Sequence, residues 1–107
     1  MYGLLERDMD FIIKAVRKYE VVEAVILFGS RAMGNYKQGS DVDLAILGEN
    51  VTRSVTRGIS EALNEEYPLP YFFDVLCYRD ISSDRLKEHI DKEGVVLYKK
   101  DVTHGQK

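Results

Sequence analysis

Two aspartates lie two residues apart in Ser40-Asp41-Val42-Asp43-Leu44, with apolar residues between and after them. Residues two apart in an extended strand point to the same face, so Asp41 and Asp43 are predicted to project together. Two such carboxylates, about 7 Å apart, repel each other by roughly 2 kcal/mol at an effective dielectric of about 20. Carboxylate oxygens are also the ligands that Mg²⁺ prefers in proteins. The spacing therefore predicts a divalent-cation site.

A Gly-Ser turn precedes this pair, in Leu27-Phe28-Gly29-Ser30-Arg31. If a helix starts at Ser30, its free N–H groups favour an anion, and Gly29 lets a phosphate approach the backbone without a Cβ in the way. Arg31 is either a phosphate contact or a surface charge. Taken singly, such a turn is usually only a turn and an Asp-x-Asp pair a solvated strand end. Their order, spacing and apolar flanks together indicate a nucleotide site.

The same residues carry a family resemblance. Gly29-Ser30-Arg31-Ala32-Met33-Gly34, followed after five residues by Ser40-Asp41-Val42-Asp43-Leu44, resembles the signature of the DNA polymerase β-type nucleotidyltransferase superfamily, in particular its minimal nucleotidyltransferase branch. The resemblance implies a single compact α/β (α+β) domain with a mixed β-sheet packed by helices. It also implies Mg²⁺-dependent transfer of a nucleoside monophosphate and a third carboxylate on a later strand.

The third carboxylate is assigned to Asp74, the one charge in the apolar run 71–77. A charge in such a run must be protonated, paired, solvated or metal-bound, and an edge-strand aspartate facing water is the simpler alternative. The resemblance implies that Asp41, Asp43 and Asp74 hold two Mg²⁺ ions. It further implies that Gly29, Ser30 and Arg31 bind the phosphates of ATP, and that Asp74 helps to activate the attacking hydroxyl.

Minimal nucleotidyltransferases of this size resemble the antitoxin half of two-component modules, whose other half is an all-helical HEPN-type ribonuclease toxin. The implied activity is ATP-dependent transfer of AMP to a tyrosine hydroxyl of that toxin. One alternative is nucleotidylation of a small molecule, such as an aminoglycoside, with a separate helical subunit. Another is a non-catalytic binding module that neutralises its partner by occlusion.

Length and composition limit the remaining possibilities. The 107 residues predict one domain over 1–100 and a frayed tail over 101–107. A formal charge of −3 argues against general nucleic-acid binding. No apolar run approaches transmembrane length and the N-terminus has no signal-peptide pattern, so a cytoplasmic protein without a membrane segment is expected.

Hydrophobic periodicity predicts the elements that position these residues. Apolar residues at helical spacing predict packing helices over 4–19, 51–66 and 82–92. Apolar, β-branched runs predict strands over 21–28, 41–47, 71–77 and 95–98, with a short helix after the first strand. A hairpin-like approach of the first two strands would bring Ser30 close to the aspartate pair.

The cysteine and the histidines receive ordinary interpretations. Cys77 is the only cysteine, which excludes an intrachain disulfide, and its apolar strand predicts a core position. His89 and His104 have no partner at metal-ligand spacing. Both are therefore interpreted as surface residues.

Overall fold

A four-stranded mixed sheet organises the computed structural model, which describes residues 2–37 and 39–100. The strands are β1 (Ala24–Phe28), β2 (Val42–Leu47), β3 (Phe73–Cys77) and β4 (Val95–Lys99). Their order is β3-β2-β1-β4, with β1 antiparallel to both β2 and β4, and β2 parallel to β3. The predicted mixed sheet and the approach of the first two strands are confirmed.

The helices lie where the periodicity predicts them. They are α1 (Glu6–Arg17), α2 (Ser30–Met33), α3 (Arg53–Glu61) and α4 (Asp84–Glu93), and a π-helical segment, Ala62–Glu66, continues α3. Ser83 caps α4 by accepting a hydrogen bond from the backbone N–H of Leu86, at 3.1 Å. Several elements begin or end up to three residues inside the predicted bounds, because residues flanking a helix or strand share its apolar character without its hydrogen bonds, whereas α4 and β4 each end one residue later than predicted.

The alternation of side chains along the strands creates two different faces. One face carries the main core and packs against α1 and α3, and its fully buried strand residues are Val25, Leu27, Val42, Leu44, Ile46 and Phe73. The other face is covered in part by α4, where Ile90 packs with Phe28 and Ala45. Because successive residues alternate, Asp43 and Asp74 belong to the face of α4.

Cys77 is buried in the main core, as predicted. The predicted tail, 101–107, and His104 within it lie outside the described residues. None of the helices in the described part of the chain has the length and apolar character needed to cross a membrane.

Asn64, in the π-helical segment after α3, closes the outer edge of β3. Its amide donates to the carbonyl of Phe73 at 2.9 Å, and its side-chain oxygen accepts from the N–H of Phe73 at 2.7 Å. This pair of hydrogen bonds satisfies backbone groups that an edge strand otherwise leaves open. It also anchors the residue immediately before Asp74.

We expect Asn64→Ala to lower the free energy of unfolding by about 1–3 kcal/mol, because both backbone groups of Phe73 lose their partner. Urea unfolding measures this change. The matched control is Glu65→Ala, which alters an exposed neighbour and is expected to change stability by less than about 0.5 kcal/mol. Equal stabilities of the two variants would contradict a structural role of the Asn64 side chain.

Candidate active site

The strand registers bring together the carboxylates that the sequence predicts to act together. Asp43 is the direct partner of Phe28 on β1 and of Asp74 on β3. Asp41 lies immediately before β2 and is exposed, whereas Asp43 is half-buried. Asp74 is exposed on an edge strand, so the edge-strand alternative describes its surroundings correctly, and it is also adjacent to Asp43.

The three carboxylates interact electrostatically. Burial raises the pKa of Asp43 above its ordinary value, and the negative charges of Asp74 and Asp41 raise it further. The positive charge of Arg31 acts in the opposite direction and lowers the pKa of Asp43. A cation bound to this set of oxygens would relieve the repulsion, and an all-carboxylate donor set suits a hard ion such as Mg²⁺. Among residues 2–37 and 39–100, no group of three or more His, Cys, Asp or Glu side chains is arranged to hold a metal ion.

The raised pKa of Asp43 predicts a stability effect that depends on pH. A carboxyl group whose pKa is higher in the folded than in the unfolded protein destabilises the folded state once it ionises. This destabilisation begins near the pKa of the unfolded state, about 3.8, and is complete above the pKa of the folded state. At pH 7 in EDTA, Asp43→Asn is therefore expected to raise the melting temperature by a few degrees, because solvent screening limits the gain to about 1 kcal/mol. The gain should disappear below about pH 3.8. Thermal unfolding across this range checks the prediction, with Asp10→Asn on α1 as the control. A gain that does not depend on pH would contradict it.

The Gly29-Ser30 turn lies against Asp43. Gly29 has φ of 77° and ψ of −156°, a conformation that is essentially restricted to glycine. A Cβ at this position would overlap the carboxylate of Asp43. A helix begins at Ser30, as predicted, and its first-turn amides have no acceptor within the helix. The turn and Asp43 therefore lie against each other, although 13 residues separate Gly29 from Asp43 in the sequence.

Gly29→Ala is expected to cost about 1–3 kcal/mol of stability, since alanine is strained in this backbone conformation and its methyl group would displace Asp43. Urea unfolding tests this expectation. The control is Gly39→Ala, which has a comparable φ of 85° but nothing within 4 Å of the added Cβ. It separates backbone strain from the overlap with Asp43. A Gly29 variant no less stable than the Gly39 variant would contradict the role of the overlap.

The interpretation of His89 as a surface residue is wrong. His89 is partly buried, and its Nε2 accepts a hydrogen bond from the backbone N–H of Gly29 at 2.9 Å. Its ring also meets Phe28 edge to face, with centroids 6.1 Å apart. The periodicity of α4 carries the missed signal, because His89 is three residues after Leu86 and next to Ile90, both on the inner side of the helix.

Arg31 is not a surface charge, since only 2% of the residue is exposed. Its Nε and Nη2 donate to the carbonyl of Ser40, at 3.1 and 2.8 Å, and its Nη1 donates to the carbonyl of Tyr2 at 3.0 Å. The guanidinium lies 5.1 Å from the ring centroid of Tyr36 and 4.9 Å from that of Tyr71. This geometry favours a role in positioning the loop before Asp41 over direct contact with phosphate.

A nucleotidyltransferase is the class of protein that this architecture defines, because the glycine turn after β1 lies against Asp43 of β2, which is paired with Asp74 of β3 in a mixed sheet. The family model described as polymerase beta, nucleotidyltransferase matches residues 10–103, and the chain belongs to this family. Over 93 residues the chain is 33% identical to a Haemophilus influenzae protein described as a probable protein adenylyltransferase, MntA. The match covers 86% of this chain and 81% of that protein.

Solved structures share the fold. A toxin–antitoxin structure with AMP-PNP matches with a TM-score of 0.71 and 23% identity, over 87% of this chain and 74% of the other. A structure of a tri-AMPylated Shewanella oneidensis HEPN toxin in complex with an MNT antitoxin matches with a TM-score of 0.67 and 21% identity. That match covers 89% of this chain and 72% of the other.

Proposed function

We propose that this chain is a Mg²⁺-dependent protein adenylyltransferase that transfers AMP from ATP to a tyrosine hydroxyl of a cognate HEPN-type toxin, and thereby acts as its antitoxin. The observation that carries the proposal is the register of Asp43 beside Asp74, with the Gly29-Ser30 turn against the same carboxylate. The similarity to MntA supports AMP as the transferred group. The toxin–antitoxin complexes with the same fold support a HEPN protein as the acceptor.

Asp41, Asp43 and Asp74 are the residues that would hold Mg²⁺, two ions in this proposal, after their side chains, which are not grouped as a metal site in the structure, turn toward the ions. The ions would supply charge neutralisation at the α-phosphate during the in-line displacement. The raised pKa of Asp43 supports this assignment: burial is its largest cause and the charges of Asp74 and Asp41 add to it, and a bound cation would relieve both effects.

Groups around the Gly29-Ser30 turn and on β3 would bind the phosphates and accept the proton. The Ser30 hydroxyl and the first-turn amides of α2 would bind the phosphates, while Gly29 keeps the turn close to Asp43. The acceptor oxygen attacks the α-phosphorus of ATP. The bond between the α-phosphorus and the bridging oxygen of the pyrophosphate breaks, and pyrophosphate leaves. The hydroxyl proton would pass toward Asp74, whose exposure leaves it accessible to an acceptor on another chain.

A protein acceptor suits the surface around the site. Phe72, two residues before Asp74, is 58% exposed, and Met33 at the end of α2 is 51% exposed. Large apolar side chains exposed beside a reaction centre are typical of a surface that contacts another protein. We place the reaction in the cytoplasm, where ATP is available.

Intact-mass spectrometry of a candidate HEPN partner, after incubation with this chain, ATP and Mg²⁺, tests the proposal. We expect a gain of one AMP mass or a multiple of it. A stable complex without a mass gain would favour a binding module that acts by occlusion. Labelled AMP in the small-molecule fraction, in the absence of a partner protein, would favour a small-molecule acceptor such as an aminoglycoside.

A further inference from the structure

The hydrogen bond between His89 and Gly29 joins two segments that are 60 residues apart. Gly29 is the residue whose absent Cβ allows the turn to touch Asp43. Its N–H is donated to the His89 Nε2, so in this structure the amide belongs to the protein's own hydrogen-bonding network. The side chain from α4 thus reaches the centre of the site.

Both polar groups of Gly29 are engaged. The N–H is held by His89, and the carbonyl accepts a hydrogen bond from the N–H of Met33 at 3.2 Å. The backbone conformation between them is one that only glycine adopts readily. Since Asp43 lies against Gly29, rotation of this turn would also disturb the carboxylate.

The acceptor of this hydrogen bond, His89, is held in place by its own contacts. An imidazole accepts through Nε2 when it is neutral and carries its proton on Nδ1. The ring of His89 is oriented by its edge contact with Phe28, at an interplanar angle of 75°. The next residue, Ile90, is 1% exposed and anchors α4 on the sheet. The acceptor nitrogen is therefore held at a defined place before a substrate arrives, which is the structural meaning of preorganisation.

We infer that His89 is a positioning residue of the nucleotide site: by accepting the Gly29 N–H, it holds the Gly29-Ser30 turn in the conformation that receives the triphosphate beside Asp43. This inference rests on the proposed nucleotidyltransferase function. His89 acts through Gly29, and its ring nitrogen takes no part in the bond changes.

Two complementary substitutions separate the hydrogen bond from the ring contact. His89→Gln retains an acceptor at similar reach but removes the ring that contacts Phe28, whereas His89→Phe retains a ring and removes the acceptor. We expect His89→Phe to weaken Mg²⁺-ATP binding by roughly 5- to 10-fold, the size of one lost hydrogen bond, and to slow transfer by a similar factor. His89→Gln is expected to remain within about 3-fold of the wild type in both. A role in packing alone predicts the reverse order of the two variants.

Calorimetric binding of ATP with Mg²⁺, the rate of AMP transfer, and hydrogen exchange of the Gly29 amide measured by NMR are the three readouts. Exchange of this amide should accelerate at least about 5-fold in His89→Phe but not in the control Glu88→Gln, an exposed neighbour on α4. If the Gly29 amide exchanges at the same rate in His89→Phe as in the wild type, the proposed role of its hydrogen bond to His89 is overturned. Tighter ATP binding in His89→Phe would also overturn the inference, because it would mean that His89 competes with phosphate for Gly29.

The failure of the inference and that of the proposed function differ in these readouts. If the wild-type protein binds and transfers nucleotide, and the His89→Phe and His89→Gln variants give the same values as the wild type, only the role of His89 is overturned. Wild-type protein that neither binds nor transfers nucleotide would overturn the proposed function, and the nucleotide-site role of His89 with it.

Discussion

Asp43→Asn is expected to reduce AMP transfer by about 10³-fold or more, the largest functional effect of any single substitution that we predict. Asp43 is the carboxylate that joins the site, because it is the strand partner of Asp74 and touches the Gly29 turn. Asparagine has nearly the same shape, so the fold and the turn remain. It lacks the negative charge that would hold a divalent ion against the nucleotide.

The measurement is the AMP mass gained by the partner, together with the affinity of the complex between the two proteins. We expect the mass gain to disappear while the affinity changes by less than about 3-fold, since the substitution removes no exposed apolar contact. Asp10→Asn, an exposed aspartate on α1, is the control and should retain full activity. If Asp43→Asn still neutralises a toxin without AMPylating it, occlusion replaces transfer as the mechanism.

Arg31→Met is expected to lower the free energy of unfolding by about 2–4 kcal/mol, the largest stability effect among our predictions. The substitution leaves the carbonyls of Ser40 and Tyr2 without their charged donor. It also removes the cation that lies between the rings of Tyr36 and Tyr71. Because the Ser40 carbonyl immediately precedes Asp41, we expect the loop before Asp41 to lose order together with the loss of stability.

Arg31→Lys distinguishes charge from geometry. Lysine restores the positive charge, but it lacks the planar fork that reaches two carbonyls at once, so we expect it to recover less than half of the lost stability. Urea unfolding gives the values, and Arg57→Met on the exposed side of α3 is the control. An Arg31→Met variant that is as stable as the Arg57 variant would contradict the structural role and return Arg31 to the phosphate-contact alternative.

The elements of this fold are readable from local patterns. The fully buried Val42 and Leu44 alternate with Asp43, as the period of a strand requires. The apolar spacing in 82–92 predicts that Leu86 and Ile90 face the sheet, and both pack there. These predictions succeed because each depends on residues a few positions apart, which the backbone geometry relates directly.

Contacts between distant segments were not accessible in the same way. Nothing near Arg31 in the sequence indicates that its guanidinium is enclosed by Tyr36, Tyr71 and the carbonyl of Tyr2. The clamp of Asn64 on Phe73 likewise depends on where the π-helical segment ends relative to β3. A polar side chain on a helix has the same local sequence signal whether it faces solvent or a backbone edge.

The sequence by itself determined the order of the elements, the side-chain alternation that separates Asp43 from the core, and the Gly29-Ser30 turn after the first strand. The tertiary structure decided that Asp43 is paired with Asp74, that Arg31 is buried, and that His89 holds the Gly29 amide. The physical reason is the range of the interactions: period and backbone preference act over a few residues, whereas strand register and helix docking result from burial of the whole core.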